Sequence, residues 1–153
     1  MTKFQILQII TGCIGSLGFA ILYNIRGKRL LIATLGGFLS WALFVVLGWG
    51  IPSEPVNYFL VAFSMSLYAE AMARLLKTPT TTFITTSLIP LIPGGSLYYT
   101  MSYAFESDLE KFVEKAIDTL QLASALALGI IVATTMIRLL TRCLHKKPQK
   151  RRE

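Results

Sequence analysis

Five apolar runs, each about the length that crosses a bilayer, divide this sequence: Phe4 to Tyr23, Leu30 to Ile51, Val56 to Leu76, Phe83 to Phe105 and Leu120 to Leu140. Hydrocarbon offers backbone N–H and C=O groups no partners, so runs of this kind fold as helices whose hydrogen bonds close within each segment. The charges are segregated between the runs, and only 15% of the 153 residues are charged while 54% are hydrophobic. A soluble domain of this size needs more polar surface. The expectation is an all-α membrane protein, one bundle of five transmembrane helices over residues 1–140, with a basic tail over 141–153. A signal peptide over the first run is disfavoured, because the run is long, no small-residue cleavage site follows it, and the charges come after it.

The fourth run departs from an ordinary span. Pro90 and Pro93 each lack a backbone N–H, and Gly94-Gly95 follows at once. The helix is expected to break over Pro90–Gly95. Backbone freed at bilayer depth must find partners in protein or water, so such a break lines a cavity in many transporters. A half-helix opening at Ser96 would direct its first N–H groups and its positive dipole end at an anion. A proline-kinked helix with glycines for close packing is the plainer alternative.

The net charge of +7 is explained by topology rather than by nucleic acid. Arg26, Lys28 and Arg29 fill the first loop, Arg74 and Lys77 flank the third, and the tail is strongly basic. The second loop has only Glu54, and the fourth is acidic on balance. This alternation places the N-terminus outside and the C-terminus in the cytoplasm. The tail is read as a disordered anchor touching anionic lipid. Ser107 with Glu110 three residues on matches a capping box, and Leu109, Phe112, Val113, Ala116, Ile117 and Leu120 follow at helical spacing. An amphipathic helix is therefore expected to lead into the fifth span. In the first run, Gly12, Gly15 and Gly18 form a small-residue stripe suited to helix contact.

Few residues within the runs carry chemistry. Cys13 and Cys143 fall in different environments, so no disulfide is expected. No Cys/His cluster has metal-ligand spacing, no nucleophile–base set falls within the runs, and no phosphate-binding loop is present. An enzyme is disfavoured, and neither metal nor cofactor is implied. Glu70 is the acidic residue well inside an apolar run, with Arg74 four residues on in the favourable order. It is read either as a proton or cation site or as half of a structural pair. Thr80, Thr81, Thr82, Thr85, Thr86 and Ser87 carry hydroxyls toward the break. Ser96, Tyr98 and Tyr99 lie just past it, as cavity lining or as interfacial anchors.

The block AEAMARLLKTPTTTFITTSLIPLIPGGSLYYTM, followed by a short acidic amphipathic segment and a last span, resembles the threonine/serine exporter family. More narrowly, it is similar to the small subunit of the two-component members, equivalent to the C-terminal membrane part of the fused exporters. Pro90, Pro93, Gly94, Gly95 and Tyr98 match the family pattern, as do Glu70 and Arg74; the first two spans match in hydropathy alone. The resemblance implies efflux of threonine- or serine-like amino acids or small dicarboxylates across the bacterial cytoplasmic membrane. It also implies a large membrane subunit as partner. Substrate binding is then expected at Thr85, Thr86, Pro90, Pro93, Gly94, Gly95, Ser96 and Tyr98, and ion coupling at Glu70 and Arg74. An accessory subunit that stabilises its partner without touching substrate is the competing expectation.

Overall fold

The computed structural model describes residues 3–145. Among these residues the chain forms six α-helices and no strand: α1 (Lys3–Leu22), α2 (Lys28–Leu47), α3 (Glu54–Leu76), α4 (Thr80–Leu88), α5 (Gly94–Phe105) and α6 (Leu109–His145). The helices α1, α2, α3 and α6 are each long and apolar enough to cross a membrane. The fourth apolar run is divided. After α4 the chain makes one 3-10 turn over Ile89–Leu91, extends at Ile92, and resumes as a helix at Gly94. With a rise of about 1.5 Å per residue, neither α4 nor α5 spans a hydrocarbon core of about 30 Å alone.

Three helices end in the same way. Asn24, Lys77 and Ser107 adopt left-handed backbone, with φ of 57°, 50° and 58°. After α1, the Ile25 N–H bonds to Ala20 O at 3.0 Å and the Asn24 N–H to Ile21 O at 2.8 Å. The same pair of bonds recurs at Thr78–Ala73 and Lys77–Arg74, and again at Asp108–Tyr103 and Ser107–Ala104. This Schellman geometry satisfies carbonyls that the helix leaves open. It also corrects the capping box. Ser107 terminates α5, and the cap of α6 is Asp108, whose Oδ1 accepts the Lys111 N–H at 3.2 Å. The Lys111 ammonium (2.8 Å) and this backbone bond hold the Asp108 carboxyl below its ordinary range.

α6 is one uninterrupted helix of 37 residues, so the amphipathic segment and the last span are continuous. Leu109, Val113, Ile117 and Leu120 of the helically spaced apolar set are exposed in this chain. The face that packs instead carries Thr119, Leu122, Ala125 and Ala133. Helix continues to His145, so the start of the tail is ordered helix; the basic residues 146–153 lie outside the described residues.

Packing is set by small residues. α6 lies along α3, α1 along α2, α4 between α2 and α3, and α5 on α6. A Cβ on Gly129 would stand 2.6 Å from Phe59 O and 2.9 Å from the Ala62 Cβ, so α3 and α6 touch nearly backbone to backbone. On α2, a Cβ on Gly36 would overlap Ser87 Oγ, and one on Gly37 would overlap Ser16 Oγ. The stripe expected on α1 is only partly used. Gly12 meets Trp41 and Pro90, whereas Gly15 and Gly18 face open space. Two apolar clusters fill the interior, one around Val61, Met65, Leu91 and Leu122, the other around Ala20, Ala33, Ala73 and Phe83.

Candidate transport site

The bundle has a basic end, with Arg26 and Lys77 in the loops and Lys28 and Arg29 in the first turn of α2, and an opposite end near Glu54. At the basic end, Tyr23 and Thr82 line two cavities of about 270 and 260 Å³. One includes Arg26, Arg29 and Thr78, and the other Thr81 and Thr85. The threonines of α4 therefore form one wall of both cavities, and Arg26 and Arg29 line one of them.

At the opposite end, a cavity of about 470 Å³ lies between α1, α2 and α3, with Gln5, Gln8, Trp49, Glu54 and Asn57 on its walls. Gln8 and Trp41 also line a cavity of about 250 Å³ that reaches Ile89 and Pro90 at the break. Gly12 sits beside Pro90 here, the Pro90 Cβ lying 3.6 Å from where a Gly12 Cβ would stand, an ordinary contact distance. Asn57 is buried and its amide donates to Phe44 O at 3.0 Å, while its own Oδ1 has no partner.

Between the two sets of cavities the chain is packed shut at Gly36-Gly37. Three buried hydroxyls of the bundle bond the backbone one turn back: Ser66 to Ala62 O (2.7 Å), Thr86 to Thr82 O (2.9 Å) and Thr119 to Lys115 O (2.7 Å). Ser16, Ser40 and Ser87 do not. All three are fully buried, and their Oγ atoms have no hydrogen-bond partner. A buried hydroxyl left unpaired costs about 1–3 kcal/mol. Pro90 has no N–H to offer Thr86 O four residues back, and that carbonyl oxygen lies 3.5 Å from the position a Gly37 Cβ would take.

The expected site residues are thus spread over three places. Thr85 faces the basic-end cavity, and Pro90 lines the cavity from the other end. Thr86 is sealed in the packed region between them. Gly94, Gly95 and Tyr98 lie on the exposed side of α5, where a Cβ on either glycine meets nothing within 4 Å. Tyr98 packs edge-on against Tyr99 at 5.6 Å. Pro93 and Ser96 are half-buried, and Ser96 O accepts the Thr100 hydroxyl at 2.8 Å. Thr100 in turn meets Thr119 at 3.1 Å, tying α5 to α6. None of the four cavities is lined by Pro93, Gly94, Gly95, Ser96 or Tyr98.

Glu70 and Arg74 pair at 3.2 Å near the basic end, and Arg74 also donates to Thr141 of α6 at 2.8 Å. The Arg74 side chain is 51% exposed and Glu70 19%, so the pair is a clasp between α3 and α6 at the rim of the bundle. Sequence reading missed Gln8, Trp41 and Asn57 as cavity lining and the set Ser16, Ser40 and Ser87. Their one visible signal was polar or small residues at helical spacing, which does not reveal facing.

Four helices long and apolar enough to cross a membrane, with cavities at both ends of the bundle, describe a multi-span membrane protein. The sequence matches the family described as Threonine/Serine exporter, ThrE, over residues 8–136. The chain belongs to that threonine/serine exporter family, whose members are transporters rather than enzymes. No curated protein and no solved structure matches it.

Proposed function

We propose that the chain is one subunit of a secondary exporter that moves threonine- and serine-like amino acids, or small dicarboxylates such as succinate, out across the bacterial cytoplasmic membrane. The observation that carries this reading is the pair of cavity systems at opposite ends of the bundle, one reaching Pro90 and the other lined by Thr81, Thr82 and Thr85 of α4. In this reading α4 and α5 together make a fifth crossing, broken at mid-depth. The basic end faces the cytoplasm, as the distribution of Lys and Arg in short loops favours. Arg26 and Arg29 then attract a substrate carboxylate toward the threonine-lined entrance. The N-terminus of α5 holds that carboxylate at the break, with Gly94 and Gly95 leaving its backbone N–H groups accessible.

The exposed side of α5 supports a hetero-oligomer. Gly94, Gly95 and Tyr98 close a cavity only if another surface covers them, and the large membrane subunit of the family supplies that surface. Glu70 is the proposed ion-coupling acid, with Arg74 holding it in place when deprotonated. Everted vesicles from native membranes test both points. Those containing the chain accumulate labelled threonine, serine or succinate in response to an ion gradient, and vesicles lacking it do not. With Glu70→Gln, uptake persists but no longer responds to pH; a pH response equal to wild type removes Glu70 from coupling. Equal uptake with and without the chain removes the exporter reading.

A further inference from the structure

The packed seam between the cavities is chemically odd for a helix crossing in a membrane. Ser16 of α1 and Ser87 of α4 press on Gly37 and Gly36 from two sides, and Ser40 lies one turn further along the same face of α2. Their hydroxyl oxygens are sealed from solvent and bond to nothing in the chain. The Thr86 carbonyl adds a fourth oxygen beside Gly37, and Pro90 denies it its usual helical partner. It belongs to the last turn of α4, whose C-terminal end carries the negative pole of the helix dipole.

We propose that Ser16, Ser40, Ser87 and the Thr86 carbonyl form a binding site for a dehydrated alkali cation of the sodium class. Neutral oxygens at the end of an interrupted helix suit a monovalent cation, and carboxylates, which divalent ions favour, are not among them. The serines are fully buried, with Ser16 and Ser87 packed against Gly37 and Gly36, so the ligand is a bare ion rather than a metabolite. Bound there, the ion joins α1, α2 and α4 and closes the seam between the two cavity systems. The site is separate from Glu70 and needs no transport to be occupied, so its test reads binding and stands or falls apart from the exporter reading.

The experiment is a thermal melt of the full chain purified in detergent, followed by tryptophan fluorescence, in sodium chloride against choline chloride at equal ionic strength. Sodium raises the midpoint by several degrees, in a saturable way. Ser16→Ala and Ser87→Ala break no hydrogen bond and remove an unpaired buried hydroxyl, so neither lowers the midpoint in choline, and each loses the increment from sodium. Equilibrium binding of labelled sodium to the wild type gives a second readout that depends on no variant, and unlabelled sodium but not choline displaces it. Identical midpoints in the two salts without displaceable sodium, or an undiminished sodium increment in both alanine variants, overturns the site.

Discussion

Gly129→Leu separates α6 from α3 and costs the bundle its stability, while Gly15→Leu leaves it intact. At Gly129 the obstacle to any side chain is backbone: Phe59 O at 2.6 Å and Phe63 N at 3.0 Å from the Cβ position. Neither can rotate away, so the helices must part. Overpacking typically costs about 1–3 kcal/mol and sometimes more, and a rigid backbone contact puts this change at the top of that range. Parting α3 from α6 also opens the cluster of Val61, Ala62, Met65, Leu122 and Ala125, in which both helices share. At Gly15 a Cβ meets nothing within 4 Å, and a leucine there extends into the open cavity that Gly15 lines with Gln8 and Trp41. Thermal melts and size-exclusion profiles in detergent compare the two. Equal losses for both variants would mean that the α3–α6 crossing does not decide stability.

Gly95→Leu has the opposite signature: the fold survives and efflux is lost. Its Cβ points into open space, so the isolated chain accommodates the side chain without strain. In the assembled exporter the same side chain stands over the first N–H groups of α5 and excludes a carboxylate. Efflux falls by at least about tenfold, equivalent to roughly 1.4 kcal/mol of lost stabilisation, while the amount of chain in the membrane is unchanged. If only the amount of complex falls, and efflux per complex stays constant, the chain is an accessory subunit that does not touch substrate.

The positions of the apolar helices were legible in the sequence, because length and hydropathy alone mark a segment that must satisfy its backbone in lipid. Pro90, Pro93 and Gly94 fall where α4 gives way to the 3-10 turn and α5, because they act on the backbone whatever surrounds them. Facing was not legible. Gly12, Gly15 and Gly18 share one spacing, yet only Gly12 is packed, and the closest approaches fall at Gly36, Gly37 and Gly129. Spacing says where helices could meet, and tertiary placement says where they do. Ser107 misled for a related reason: the same residue type that caps a helix start also ends one in left-handed backbone, and the Schellman bonds of α5 decided between them. The buried serines were invisible because an apolar run does not distinguish a hydroxyl bonded to its own backbone from one left unpaired.

The central claim is that this chain is part of a transporter completed by a second membrane subunit across α5. A pull-down of a tagged copy from its native membrane in mild detergent, with mass spectrometry of the retained proteins, tests it directly. A multi-pass partner of the same family, retained in a fixed ratio and released by bulky substitutions at Gly94 and Gly95, is the predicted result. Recovery of the chain with copies of itself alone would contradict it.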